Sequence, residues 1–137
     1  MCAILALILG PVFVASIPSQ ANACSFSIQR SIAFDSGVSS ISNRDRVDLA
    51  KTVIDANNSV ARTGSVVIYG ITEEGAKGGK AITQKRVESV MAYLQALGIS
   101  ESRFNVDYQA LGFASDTPAS ERYQVLVEFI PASSPCA

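Results

Sequence analysis

The segment Ser65-Val66-Val67-Ile68-Tyr69-Gly70-Ile71-Thr72-Glu73-Glu74-Gly75-Ala76-Lys77-Gly78-Gly79-Lys80, continuing into Ala81-Ile82-Thr83-Gln84-Lys85-Arg86-Val87, decides the fold. Ser65 to Tyr69 is short, β-branched and without polar alternation, which predicts a central strand covered on both faces. Gly70 to Gly79 follows as a polar, glycine-rich loop. From Thr83 the apolar residues Val87, Val90, Met91, Leu94 and Leu97 recur at helical spacing, and Gly98 stands where a helix C′ residue belongs. A strand, a glycine-rich loop and a helix in that order call for a test of phosphate binding. Neither GxGxxG nor GxxxxGK[ST] fits: Gly75 is followed by Ala76, and Gly79-Lys80 lacks both the upstream Gly and the following Ser or Thr. The nucleotide reading is dismissed.

Upstream, Phe26, Ile28, Ile32 and Phe34 alternate as in a strand with one buried face, and Asp35-Ser36-Gly37 turns the chain. Ser42 fits an N-cap with Asp45 in the first turn, opening a helix from about Asn43 to Asn57 whose apolar stripe reads Val47, Ala50, Val53, Ile54. Downstream, Phe104 to Ala110 and Tyr123 to Phe129 alternate as two further strands, separated by an exposed loop from Gly112 to Glu121 that ends just before Arg122. The order is strand, helix, strand, helix, strand, strand. Right-handed crossovers place both helices on one face of the sheet, giving a two-layer α/β sandwich of the α+β class with a mixed sheet. The other sheet face must be partly solvated or meet a partner.

All 23 charged residues lie at or after Arg30, so the opening of this 137-residue chain is of a different kind. Ala3 to Ala15 is an almost unbroken apolar run, followed by Pro18 and the small residues Ala21 and Ala23 at the positions a signal peptidase reads. Residues 1–23 are expected to be a cleaved signal peptide and 24–137 one mature domain, with an uncleaved N-terminal anchor as the rival. After Ile17 no apolar run approaches the ~20 residues of a spanning helix. A net charge of −1 with interspersed signs offers no basic stripe for nucleic acid. The absence of His removes Ser-His and Cys-His catalysis and imidazole metal sites, so neither a cofactor nor a metal is expected. Cys24 and Cys136 remain after cleavage, and an exported chain with two cysteines oxidises them to each other. The competing reading is acylation of Cys24, although Ala21 stands where a lipobox has Leu.

From Ile32 to Phe129 the mature chain resembles the OmpA-like domain, the peptidoglycan-associating module of Gram-negative envelopes. Ile32-Ala33-Phe34-Asp35-Ser36 with Ile41 resembles the opening strand and turn of that family; Gly70-Ile71-Thr72-Glu73 is similar to its "GhTD" motif; Ile82-Thr83-Gln84-Lys85-Arg86-Val87 is similar to its "LSxxRA"; and Gly112, Pro118 and Arg122 resemble a shortened form of its last motif. The resemblance implies a periplasmic or outer-membrane-associated protein that binds the diaminopimelate stem of peptidoglycan. In the family the Asp of "GhTD" takes the ammonium and the Arg of "LSxxRA" takes the carboxylate of that zwitterion. Carried over, Glu73 and Arg86 hold these roles, with Thr72 and Arg122 beside them. Glu73 is a methylene longer than the family's Asp, its interval of 13 residues to Arg86 is shorter than usual, Ile71 replaces a polar residue, and Gly79 replaces an Asn.

Each of these residues also has a plainer reading. Arg86, on the first turn of a helix beginning at Thr83, suits a solvated surface arginine paired with Glu73 or Glu74, and Arg122 suits a structural residue opening the last strand. Two functions follow: a module that holds peptidoglycan, or a structural or assembly protein of the same fold that binds an envelope protein and has lost the ligand. An enzyme would need a carboxylate pair among Asp35, Glu73, Glu74 and Asp116, and no spacing selects one, so the chain is read as non-catalytic.

Overall fold

The computed structural model describes residues 26–133; the expected signal peptide, Cys24 and Cys136 lie outside them. The elements are β1 (Ile28–Ala33), α1 (Asn43–Asn57), β2 (Val66–Glu73), α2 (Gly79–Ala96), a single 3-10 turn (Glu101–Arg103), β3 (Phe104–Leu111), the short α3 (Ala119–Arg122) and β4 (Gln124–Phe129). The sheet order is β1-β4-β2-β3, with β4 antiparallel to both neighbours and β2 parallel to β3. Both helices pack on one face, α1 against β1 and α2 against β2 and β4. A single core lies between the layers, built from Leu49, Val53 and Ala56 of α1, Val87, Val90 and Leu94 of α2, and Ile32, Val66, Ile68, Val125, Val127 and Phe129 of the sheet. The α+β sandwich on a mixed sheet is the architecture expected from the sequence. Among the described residues no helix is long and apolar enough to cross a membrane.

Helix α1 begins as expected: the Asp45 amide donates to Ser42 Oγ at 3.1 Å, and the Ser42 hydroxyl donates back to the Asp45 carboxylate at 2.7 Å. Its buried face is Leu49, Thr52, Val53 and Ala56, whereas Val47 and Ile54 are 54% and 58% exposed. The expected stripe is thus rotated about a third of a turn from the true one, and only Val53 belongs clearly to both. Both stripes satisfy helical spacing. Tertiary contacts choose between them: Arg30, on the helix-facing side of β1, donates to Asp48 and approaches Asp45 at 4.0 Å, which fixes the rotation of the helix.

Strand β2 is internal, as expected, but it is not covered on both faces. Val66, Ile68 and Gly70 are buried beneath the helices, while on the opposite face Val67 and Tyr69 are half-buried and Ile71, near the strand's end, is buried. That face carries polar cross-strand bonds, with the Tyr69 hydroxyl donating to Glu128 at 3.1 Å and Gln29 Nε2 donating to the same carboxylate at 2.8 Å. Gln29 holds the Glu128 carboxyl below its ordinary range, and burial pushes the Tyr69 hydroxyl up.

Two boundaries differ from expectation around the glycine-rich loop and before β4. Helix α2 starts at Gly79 rather than Thr83, after Gly78 reverses the backbone at φ 73°. Gly79 has no room for a side chain: a Cβ there would stand 2.8 Å from Thr72 Cγ2. Gly79, which reads as loop in sequence, opens the close-packed first turn. Before β4, Arg122 closes the short helix α3 instead of opening the strand.

The β1–β4 register places Ile28 opposite Phe129, so the two ends of the described chain lie side by side. We propose that Cys24 and Cys136, which lie outside the described residues a few positions beyond those partners in sequence, are bonded to each other. Thiol titration of non-reduced mature protein is expected to find no free thiol, and two free thiols would rule the bond out.

Candidate functional site

The end of β2, the loop to α2, the first turns of α2, the β1–α1 turn and Tyr123 enclose an open cleft of about 320 Å³. Thr72 donates to Thr83 Oγ1 at 2.9 Å, and Thr83 in turn donates to the Ile71 carbonyl at 3.4 Å, so the strand end is tied to α2. Gly70 sets how closely they approach. A Cβ on Gly70 would stand 2.8 Å from Tyr108 Cδ1 and 2.9 Å from both Thr83 Cγ2 and Val87 Cγ2, so only glycine lets α2 settle at this height.

Arg86 lies one turn beyond Thr83, in the third turn of α2, and is 2% exposed. Its Nε donates to the Val38 carbonyl and its Nη2 to the Asp35 carbonyl, each at 2.9 Å. The guanidinium carbon lies 5.4 Å from the centre of the Phe34 ring and 5.2 Å from that of Tyr123. Burial draws its pKa below the ordinary guanidinium value, an effect the Tyr123 hydroxyl opposes, and a guanidinium remains protonated under both influences. The reading of Arg86 as a solvated arginine paired with Glu73 or Glu74, on a first helical turn, is therefore wrong. It is a buried cation balanced by carbonyl dipoles and aromatic faces, without a carboxylate among the described residues. Nη1 makes no hydrogen bond to the described residues, and Arg86 lines the cleft.

Glu73 also lines the cleft, but its ion pair is with Arg122, Nη1 to Oε1 at 3.7 Å. Arg122 donates through Nε to the Thr117 carbonyl at 2.7 Å and through Nη2 to the Ser115 carbonyl at 2.9 Å, which fastens the loop before α3. Of the residues expected at the site, Thr72, Glu73 and Arg86 come together around the cleft, while Arg122 stands behind Glu73 and does not line it.

The residues that sequence reading missed are the two rings against Arg86, of which Tyr123 lines the cleft and Phe34 does not, and the lysine at the rim. Phe34 reads as a strand residue of the family's opening motif and Tyr123 as an alternating strand residue; they meet because β1 and β4 pair, with the Phe34 amide donating to the Tyr123 carbonyl at 2.7 Å. Lys77 completes the lining beside the α2 N-terminus, which has no side-chain cap. Arg86, Lys77 and the α2 N-terminus, which lacks a side-chain cap, against the single carboxylate of Glu73 make a cleft suited to an anion.

These features define an α+β domain with one cationic cleft at the end of its central strand. The chain belongs to the OmpA family, whose profile matches residues 33–124. Its fold is similar to the OmpA-like domain of FopA1 from Francisella tularensis, at 15% identity over 78% of this chain and 74% of that one, with a TM-score of 0.61. It is likewise similar to the peptidoglycan-associated lipoprotein of Burkholderia pseudomallei, at 21% identity over 72% and 89% of the two chains with a TM-score of 0.58. A periplasmic domain of MotB from Helicobacter pylori aligns at 10% identity over 78% and 83%, with a TM-score of 0.62. At these identities the likeness is one of fold. No curated protein matches the chain in sequence.

Proposed function

We propose that the protein is a non-catalytic, exported cell-envelope module that holds peptidoglycan non-covalently in the periplasm or at the outer membrane, gripping the diaminopimelate end of the stem peptide. The observation that carries this reading is Arg86: a buried cation, fixed by two carbonyls and two rings, with Nη1 left over at an open cationic cleft. A preorganised guanidinium of this kind suits a ligand carboxylate. Glu73 on the same cleft supplies the charge for a neighbouring ammonium. One structural relative is peptidoglycan-associated by name, which agrees with the reading. A second reading, a protein partner on a fold that has lost its ligand, is favoured by one observation: Glu73 already has an arginine partner.

The test is co-sedimentation of the mature protein with purified sacculi of the diaminopimelate type. Wild type is expected to pellet with them, and Glu73→Gln to weaken binding about tenfold, because the ligand ammonium then faces the Arg122 guanidinium with no carboxylate between them. The variant stays folded, because the part-exposed pair with Arg122 contributes at most ~1 kcal/mol. A folded wild type that remains in the supernatant would sink this function in favour of a protein partner, and affinity capture from periplasmic extract would then be the next measurement.

A further inference from the structure

Among the described residues Glu73 is the only acidic one lining the cleft, and its carboxylate is shared before any ligand arrives. The Arg122 guanidinium stands 3.7 Å from it, while its other two nitrogens are held by the carbonyls of Thr117 and Ser115. Arg122 is thus placed by its own loop and by α3, independently of Glu73. A cation fixed in this way competes permanently with a ligand ammonium for the one carboxylate, and repels that ammonium as it approaches. The carboxylate end of a ligand meets no such competitor, because Nη1 of Arg86 is not engaged by the described residues.

Resting on the function proposed above, we propose that Arg122 is a specificity-determining residue: by holding Glu73 it relaxes the cleft's preference for a zwitterionic stem-peptide end over an end that bears only a carboxylate. The physical basis is partial neutralisation, since a carboxylate already paired offers a second cation less Coulomb energy than a free one. The site should therefore accept stem peptides that lack the distal ammonium almost as well as those that carry it.

Calorimetric titration of the mature protein with two stem tripeptides tests this. One ends in meso-diaminopimelate; the other ends in 2-aminopimelate, which keeps the distal carboxylate and lacks the ammonium. Wild type is expected to bind the two within about twofold of each other, and Arg122→Gln to shift the ratio about fivefold towards diaminopimelate. Glu73→Gln, which keeps Arg122 in place, should shift the ratio the other way. An unchanged ratio in either variant would overturn the assignment. So would equal weakening of both peptides by Arg122→Gln, which would make Arg122 merely an anchor for its loop. If neither peptide binds wild type while sacculi still pellet it, the specificity role fails and peptidoglycan binding stands. If sacculi fail as well, both are wrong.

Discussion

Arg86→Ala is expected to destabilise the domain by about 3 to 5 kcal/mol, the largest effect of any single side chain at the cleft. The side chain is almost wholly buried, and its bonds to the Asp35 and Val38 carbonyls are part-buried and charge-assisted. Truncation removes two hydrogen bonds from a charged donor, at about 1.5 to 3 kcal/mol each, and opens a gap between the rings of Phe34 and Tyr123. The turn from Asp35 to Val38 then loses its attachment to α2. Urea unfolding should show a lower midpoint at an unchanged slope, and Arg86→Lys should recover part of the loss by restoring a charge without the planar fork. A loss below about 1 kcal/mol would show that the guanidinium does not hold the turn. Because this arginine is both a strut and the proposed carboxylate ligand, its replacement alone cannot assign function, which is why the binding tests use Glu73 and Arg122.

Gly64→Ala comes next, at about 3 kcal/mol, for a reason of space and not of backbone angle. Gly64 is not among the glycines with positive φ, yet a Cβ on it would lie 1.7 Å from the Ile130 carbonyl oxygen and 2.8 Å from the Ala132 amide. The obstacle is backbone, which cannot rotate aside as a side chain could. The same segment is tied down, with the Ile130 amide donating to the Ser65 carbonyl at 2.9 Å and Arg103 Nε donating to the Gly64 carbonyl at 2.7 Å. The methyl must therefore push the chain after β4 away from the start of β2. Thermal unfolding should show a midpoint lower by roughly 10 to 20 °C. Gly75→Ala is the control: that glycine has φ 77° with nothing within 4 Å of a built Cβ, so alanine there meets only backbone strain of about 1 kcal/mol. Equal midpoints for the two variants would contradict the packing argument.

The sequence by itself determined what is decided within a turn of helix or along a strand. The Ser42 cap and the spacing after it locate α1, the β-branched run after Ser65 locates β2, and the alternation ending at Phe129 locates β4. The resemblance carried by Gly70 to Glu73 and by Arg86 indicated the end of the sheet where the cleft lies. The tertiary structure alone decided which of two helical stripes on α1 is buried, that Gly79 and not Thr83 opens α2, and what partners the charges find. The physical reason is that each of these depends on contacts between residues far apart in the chain, and the partners of the site's charges depend on β4 inserting between β1 and β2. That insertion brings Phe34 and Tyr123 together as walls around Arg86, and carries Arg122 from far along the chain to Glu73. A guanidinium beside a carboxylate in sequence suggests a pair, but burial and the nearest available oxygen determine it, and those are properties of the packed layers.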